Sequence, residues 1–161
     1  MMRVLAKVWR FISLPKSIQL LIMRLFQDQF LVGVTGIIFN NNHEVLLFKH
    51  RYRQTEWSLP GGYIKAKEHP AEGLEREIKE ESGFTVSIDH QLKVRTDRES
   101  ARLDISLVGV HIGGEFIQSS EVSEAMFFLF ENLPLIAKNQ LFLIELAMQE
   151  RPNILQAPTL T

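Results

Sequence analysis

Glu77, Glu80 and Glu81 fall within five residues of a 161-residue chain whose formal net charge is only −1. Like charges three or four apart on a helix repel, at a cost of about 0.2–0.5 kcal/mol per pair. A charge run is most often a solvated face, and that is the ordinary reading here. The chemical reading is a set of hard oxygen donors without sulfur or imidazole, which suits Mg²⁺ or Mn²⁺ and relieves the repulsion. Mg²⁺ keeps several waters and binds partly through substrate phosphates. The chemistry to expect is therefore a phosphate-bearing substrate bridged by metal to a helix of carboxylates.

The acids lie in the stretch GGYIKAKEHPAEGLEREIKEESGF, Gly61 to Phe84. Pro70 suits the first turn of a helix, where a missing N–H costs nothing. Gly83 is its C-terminal stop. At about 100° per residue, Leu74, Ile78 and Ala71 form one apolar stripe for packing on a sheet. Glu77, Glu80 and Glu81 share one side, bordering that stripe rather than opposing it. Gly73 lies on the same side, about 1 kcal/mol against helix propensity relative to alanine, and is expected to clear space above the acids. Arg76 and Lys79 project to the other side, which leaves no cation on the acids' face. Such departures from local preference mark functional sites.

The remaining elements must present this helix. LVGVTGIIF (31–39) and EVLLFKH (44–50) read as strands joined by the turn NNNH. WSLPGG (57–62) is a short extended stretch broken by Pro60 and two glycines. FTVSIDHQLKV (84–94), ARLDISLVGVHI (101–112) and AMFFLF (125–130) read as strands, with a turn at Gly113–Gly114, and 134–150 as a C-terminal helix. Strands around one internal helix, with another helix at the end, make an α/β mixture, not repeated βαβ units. Apolar residues at 45% and charged residues at 23% describe a globular chain. The near-zero net charge makes no general demand for nucleic acid. Without cysteine there are no disulfides, thiolate metal sites or cysteine nucleophiles. With no apolar run near the ~20 residues of a membrane span, the expected location is cytoplasmic.

From Gly62 the residues run five to Glu68, seven more to Arg76, then Glu77-Ile78-Lys79-Glu80-Glu81-Ser82-Gly83-Phe84. This resembles the Nudix box, G-x5-E-x7-R-E-U-x-E-E-x-G-U with U apolar, at every fixed position. Nine constrained positions over 23 residues make chance agreement very small. The resemblance covers about residues 30–148. It implies a Nudix fold, a mixed sheet between helices forming an α/β/α sandwich, carrying here an extra N-terminal helical segment. It implies hydrolysis of a nucleoside diphosphate linked to another group by water attack on phosphorus, dependent on Mg²⁺ or Mn²⁺. Glu77 and Glu81 would be the principal metal ligands, with Glu80 a further ligand or the base. The Gly61 carbonyl would add an oxygen. Arg76 would orient the glutamates, with Glu68 as its partner or an auxiliary base. Glu121 would be a ligand or the base. A nucleotide-binding module that keeps the fold without turnover is the alternative.

Other residues stand against plainer readings. His50, Arg51 and Arg53 in KHRYR are candidates to meet substrate phosphates, or else a solvated strand end. Arg95, Arg98 and Arg102 have Asp97, Glu99 and Asp104 near enough to neutralise them. Trp57 is read as core packing before base stacking. His69, His90 and His111 are not at ligand spacing.

The expected organisation is an amphipathic segment 1–28, a Nudix domain 29–150 and a tail 151–161. Residues 1–30 hold five basic side chains and one acid, leaving 13 basic and 18 acidic residues in the remainder. Residues 3–12 and 16–27 read as helices with apolar stripes. Packing on the chain's own domain ranks first as the cover, a homodimer rather than a monomer second, and an anionic membrane third. The membrane ranks last because Phe30 leads straight into a strand.

Overall fold

The computed structural model describes residues 15–51, 57–97 and 99–154, the last four as backbone only. The expected helix over 3–12, together with Arg53 and Arg98, lies outside the described residues. The chain divides into two compact units, Met1–Phe30 and Leu31–Thr161. In the first, α1 spans Lys16–Phe26, opens after Pro15 and buries none of its side chains.

The second unit contains the sheet. In chain order its elements are β1 (Leu31–Phe39), β2 (Val45–His50), β3 (Trp57–Ser58), β4 (Gly61–Tyr63), α2 (Pro70–Ser82), β5 (Thr85–Asp97), β6 (Arg102–Gly113), β7 (Val122–Phe128), a 3₁₀ turn (Phe130–Asn132) and α3 (Lys138–Ile154). The order across the sheet is β3-β2-β1-β6-β5, with β4 also on β1 and β7 also on β2. β1 and β6 run parallel over nine residue pairs, from Leu31↔Arg102 to Phe39↔Val110. The other pairings are antiparallel. The sheet is therefore mixed, as expected.

Both faces of the sheet are covered, which explains why β1 and β2 carry near-continuous apolar runs instead of alternating ones. Alternate side chains go to opposite faces. Val34, Ile38, Leu46 and Phe48 form one core with Leu74 and Ile78 of α2. Ile37, Phe39, Val45 and Leu47 form a second with Ile144 and Ala147 of α3. The result is helix, sheet, helix.

Two elements start well away from their expected positions. The last strand begins at Val122, not 125, because β2 holds it through His50↔Val122 past a bulge at Lys49/His50. The C-terminal helix begins at Lys138, not 134, and continues to Ile154. The 3₁₀ turn and Pro134 occupy the residues before it, and Ala137 O accepts from Gln140 N and Leu141 N in its first turn. Trp57 packs on the second core, edge-on to Phe128 at 5.1 Å.

Candidate functional site

The site begins with the two glycines after Pro60. Gly61 and Gly62 pair with Thr35 and Val34, which makes a strand of an otherwise breaker-rich stretch. Pro60 O accepts from Gly36 N at 2.8 Å, and Leu59 N donates to Gln140 Oε1 at 3.1 Å. A side chain at Gly61 would meet backbone, and one at Gly62 would displace Glu77. A Cβ on Gly61 would strike the Val34 carbonyl oxygen, and one on Gly62 would lie 2.5 Å from Cδ of Glu77. The second glycine thus lets the Glu77 carboxylate lie directly against the strand.

α2 presents the acids. His69 caps its start, with Nδ1 accepting from Ala71 N while Glu72 Oε2 accepts from His69 N. Gly83 ends it in the left-handed conformation at φ 77°. Leu74 and Ile78 are fully buried and fix the helix rotation. Glu77, Glu80 and Glu81 consequently face one cleft of about 460 Å³, with Gly61, Gly62 and Tyr63 on one side and Ser119, Ser120 and Glu121 on the other. Glu121, 40 residues from Glu81 in sequence, is brought to the same cleft by the pairing of β7 with β2.

One expectation about charge is overturned. Arg76 does reach the acids. Its Nη1 donates to Glu77 Oε1 at 2.7 Å and to Glu80 Oε2 at 3.1 Å. The rest of the guanidinium forks onto Glu68, Nε to Oε1 at 2.7 Å and Nη2 to Oε2 at 3.0 Å, and Nη2 also reaches Tyr63 O at 3.2 Å. The helical projection placed Cα correctly but ignored the length of the side chain, which Glu68 draws across from the loop before α2. Lys65 contributes a longer pair, 3.6 Å from Glu80 Oε1. Lys79 turns away from the acids, to Gly83 O at 2.8 Å.

The role expected of Gly73 changes too. A Cβ there would lie 2.8 Å from Ile64 Cγ2 and 3.1 Å from Glu68 Oε2. The glycine admits the Glu68–Arg76 pair and does not leave open space above the acids. The Arg76 fork, backed by the Lys65 N–H, holds the Glu68 carboxyl down to about 2. The same bonds hold Arg76 firmly protonated.

The all-oxygen donor set of this cleft fits a hard divalent cation, and Gly62 makes the room for Glu77 to reach its floor. Among the described residues, no three acidic or imidazole groups are gathered in a coordinating arrangement, because Glu77 and Glu80 are turned onto Arg76. Glu80 is the most exposed of the ion-paired acids and needs only a rotamer change to leave.

Of the KHRYR residues, His50 is buried, Arg51 is exposed and Arg53 lies outside the described residues. Neither His50 nor Arg51 lines the acidic cleft, and Arg51 N donates to Glu121 O at 3.2 Å.

A second cleft, about 330 Å³, adjoins the first through Gly61, Gly62 and Tyr63. Lys93, Arg95, Arg102 and Asp104 line it from β5 and β6, and Asn139, Gln140 and Phe142 from α3. Arg102 pairs with Asp104 at 2.8 Å, and Arg95 lies 3.6 Å from the same acid. Bonds to the Tyr63 side chain and to Asp104 raise the Arg102 guanidinium further above its ordinary value. Lys93 Nζ sits over the Phe142 ring at 4.5 Å. Sequence reasoning singled out Arg95 and Arg102 but not Lys93, Gln140 or Phe142. No motif marks those three, and only the placement of α3 against the sheet brings them together.

Residues 29–146 match the NUDIX domain, and the chain belongs to that family. It is 37% identical over 112 residues to an ADP-ribose pyrophosphatase of Methanocaldococcus jannaschii, a match covering 66% of each chain. It therefore spans just under two thirds of that relative. Among solved structures it resembles a UDP-X diphosphatase, with TM-score 0.69 and 20% identity over 88% of this chain and 73% of the other. It also resembles an ADP-ribose pyrophosphatase of Streptococcus suis 89-1591, with TM-score 0.63 and 24% identity over 75% and 92%. At these identities the structural likenesses establish the fold.

Proposed function

We propose that the chain is a Mg²⁺- or Mn²⁺-dependent pyrophosphohydrolase acting on a nucleoside diphosphate linked to another group, with ADP-ribose the first substrate to try. The observation that carries this reading is the convergence of Glu77, Glu80, Glu81 and Glu121 on one cleft beside the Gly61–Gly62 strand. The archaeal relative's name, ADP-ribose pyrophosphatase, supports the choice of substrate.

Glu77 and Glu81, with Glu80 and the Gly61 carbonyl, would hold the metal, which would supply charge to offset the reacting diphosphate and acidify water. Arg76 holds Glu77 and Glu80 in place, and a bound ion would replace it as their counter-charge. Glu68 serves by anchoring Arg76. Its acceptor sites are occupied by the guanidinium and the Lys65 N–H, so it is poorly suited to take a proton. Glu121, which lines the same cleft, would accept the proton of the attacking water as a phosphorus–oxygen bond of the anhydride breaks. The adjoining cleft, with its cations and the Phe142 ring, accommodates one end of the substrate through phosphate or hydroxyl contacts.

The test is product release from ADP-ribose and from a panel of nucleoside triphosphates, NADH, dinucleoside polyphosphates, sugar nucleotides and CDP-alcohols, with and without Mg²⁺. Metal-dependent release of a nucleoside monophosphate supports the reading. Absence of turnover with every member, alongside measurable nucleotide binding, replaces it with a nucleotide-binding module.

A further inference from the structure

We propose that α1 is an interfacial anchor that lies on the surface of an anionic lipid bilayer. The starting point is the distribution of side chains around this helix. Ile18, Leu21, Ile22, Leu25 and Phe26 share one face. Of these, Ile18, Leu21, Leu25 and Phe26 are 42%, 58%, 74% and 81% exposed. Leu20, 61% exposed, lies on the far side between Lys16 and Arg24, with Met23, 47% exposed, beside Lys16.

Charge selects the kind of lipid. Lys16 and Arg24 are the only charged residues of the helix, and both lie opposite its apolar face. The first 30 residues hold five basic side chains against one acid, while the remainder of the chain is acidic by five. The basic excess is therefore confined to the segment that carries the exposed apolar face. Cationic residues beside buried apolar ones are what an anionic headgroup layer attracts.

Length excludes a spanning role. Eleven residues rise about 16 Å, half of a ~30 Å hydrocarbon core. No helix among the described residues is long and apolar enough to cross a membrane. Between α1 and β1, Gln27–Phe30 have no regular structure, and Gln27 is extended at φ −109°, ψ 143°. Four such residues reach about 13 Å, a short tether where the sequence reading expected none.

The experiment is co-sedimentation of the full chain with vesicles of phosphatidylglycerol and phosphatidylcholine, compared with pure phosphatidylcholine, at low and high salt. The protein should pellet with the anionic vesicles and be released by salt. Leu21→Glu/Leu25→Glu should abolish pelleting. Lys16→Glu/Arg24→Glu should weaken the partition by about tenfold or more. Both variants should keep the wild-type unfolding temperature. Three results would each overturn the proposal. One is wild-type protein that stays in the supernatant with anionic vesicles at low salt. Another is a wild-type mass by light scattering of twice 18.6 kDa that the leucine variant halves, which assigns the face to a second copy. The last is a large drop in unfolding temperature in both variants, which assigns it to the chain's own core. None of these readouts depends on turnover.

Discussion

Arg76 and Glu68 determine how the acidic cleft behaves without metal. Glu77 and Glu80 would repel each other, yet one guanidinium nitrogen donates to both and the remaining nitrogens donate to Glu68. Glu68 is held at about 2, against an ordinary 4.5, chiefly by the Arg76 bond. A depressed carboxyl stabilises the fold above the unfolded-state value and loses that contribution as pH falls through the folded one. Glu68→Gln should therefore lower the unfolding temperature at neutral pH. The gap to wild type should close as pH falls from 4.5 to about 2. Thermal melts across that range check it, and a gap independent of pH would contradict the assignment. Glu81→Gln tests the proposed chemistry itself. It preserves size and removes a charge placed to hold the metal, and kcat should fall at least ~10²-fold with the fold intact. Near wild-type turnover at saturating Mg²⁺ would remove Glu81 from the ligand set.

At the scale of elements, the helix α2 carries the acids and its ends decide where they point. Its C-terminus closes at Gly83, whose φ of 77° suits glycine and whose added Cβ would lie 2.5 Å from the Glu115 carbonyl oxygen. Left-handed backbone costs a residue with a Cβ about 1–2 kcal/mol before any clash. Gly83→Ala should therefore destabilise by about 2 kcal/mol or more, read as a lower midpoint in urea with unchanged slope. It acts through the backbone and through the 114–117 segment packed against it, where Ile117 N donates to Ser82 O at 2.8 Å. An Ala variant as stable as wild type would show that the helix end relaxes freely.

For the whole molecule, a ligand that binds only the folded state stabilises it by mass action. Millimolar Mg²⁺ or Mn²⁺ should raise the unfolding temperature, further with a non-hydrolysable nucleotide present. Glu77→Gln/Glu80→Gln/Glu81→Gln should lose that response. An undiminished response in the triple variant would move the metal elsewhere. The metal-free triple variant should itself hold or gain stability only if the Arg76 pairs with Glu77 and Glu80 are weak. Exposed pairs such as Arg76–Glu80 contribute about 0–1 kcal/mol, which makes a near-neutral outcome the expected one.

Much of this was legible in residue order. Pro70, Gly83 and the period of Leu74 and Ile78 determine α2, because capping and amphipathic spacing are local properties. The box from Gly62 to Phe84 determines the family, since each fixed residue occupies a set distance along the chain. The strands followed from β-branched runs and turn residues, and the mixed sheet from the family resemblance. Tertiary structure decided the rest, for reasons of distance. Glu121 joins Glu77, Glu80 and Glu81 only because β7 pairs with β2. Gln140 and Phe142 meet the Gly61–Tyr63 strand only because α3 covers the sheet face opposite α2. Arg76 reaches the acids because a flexible side chain follows its partner Glu68 and not the angle of its own Cα. Gly73 is small to admit Glu68 and Ile64, a contact that no helical projection contains.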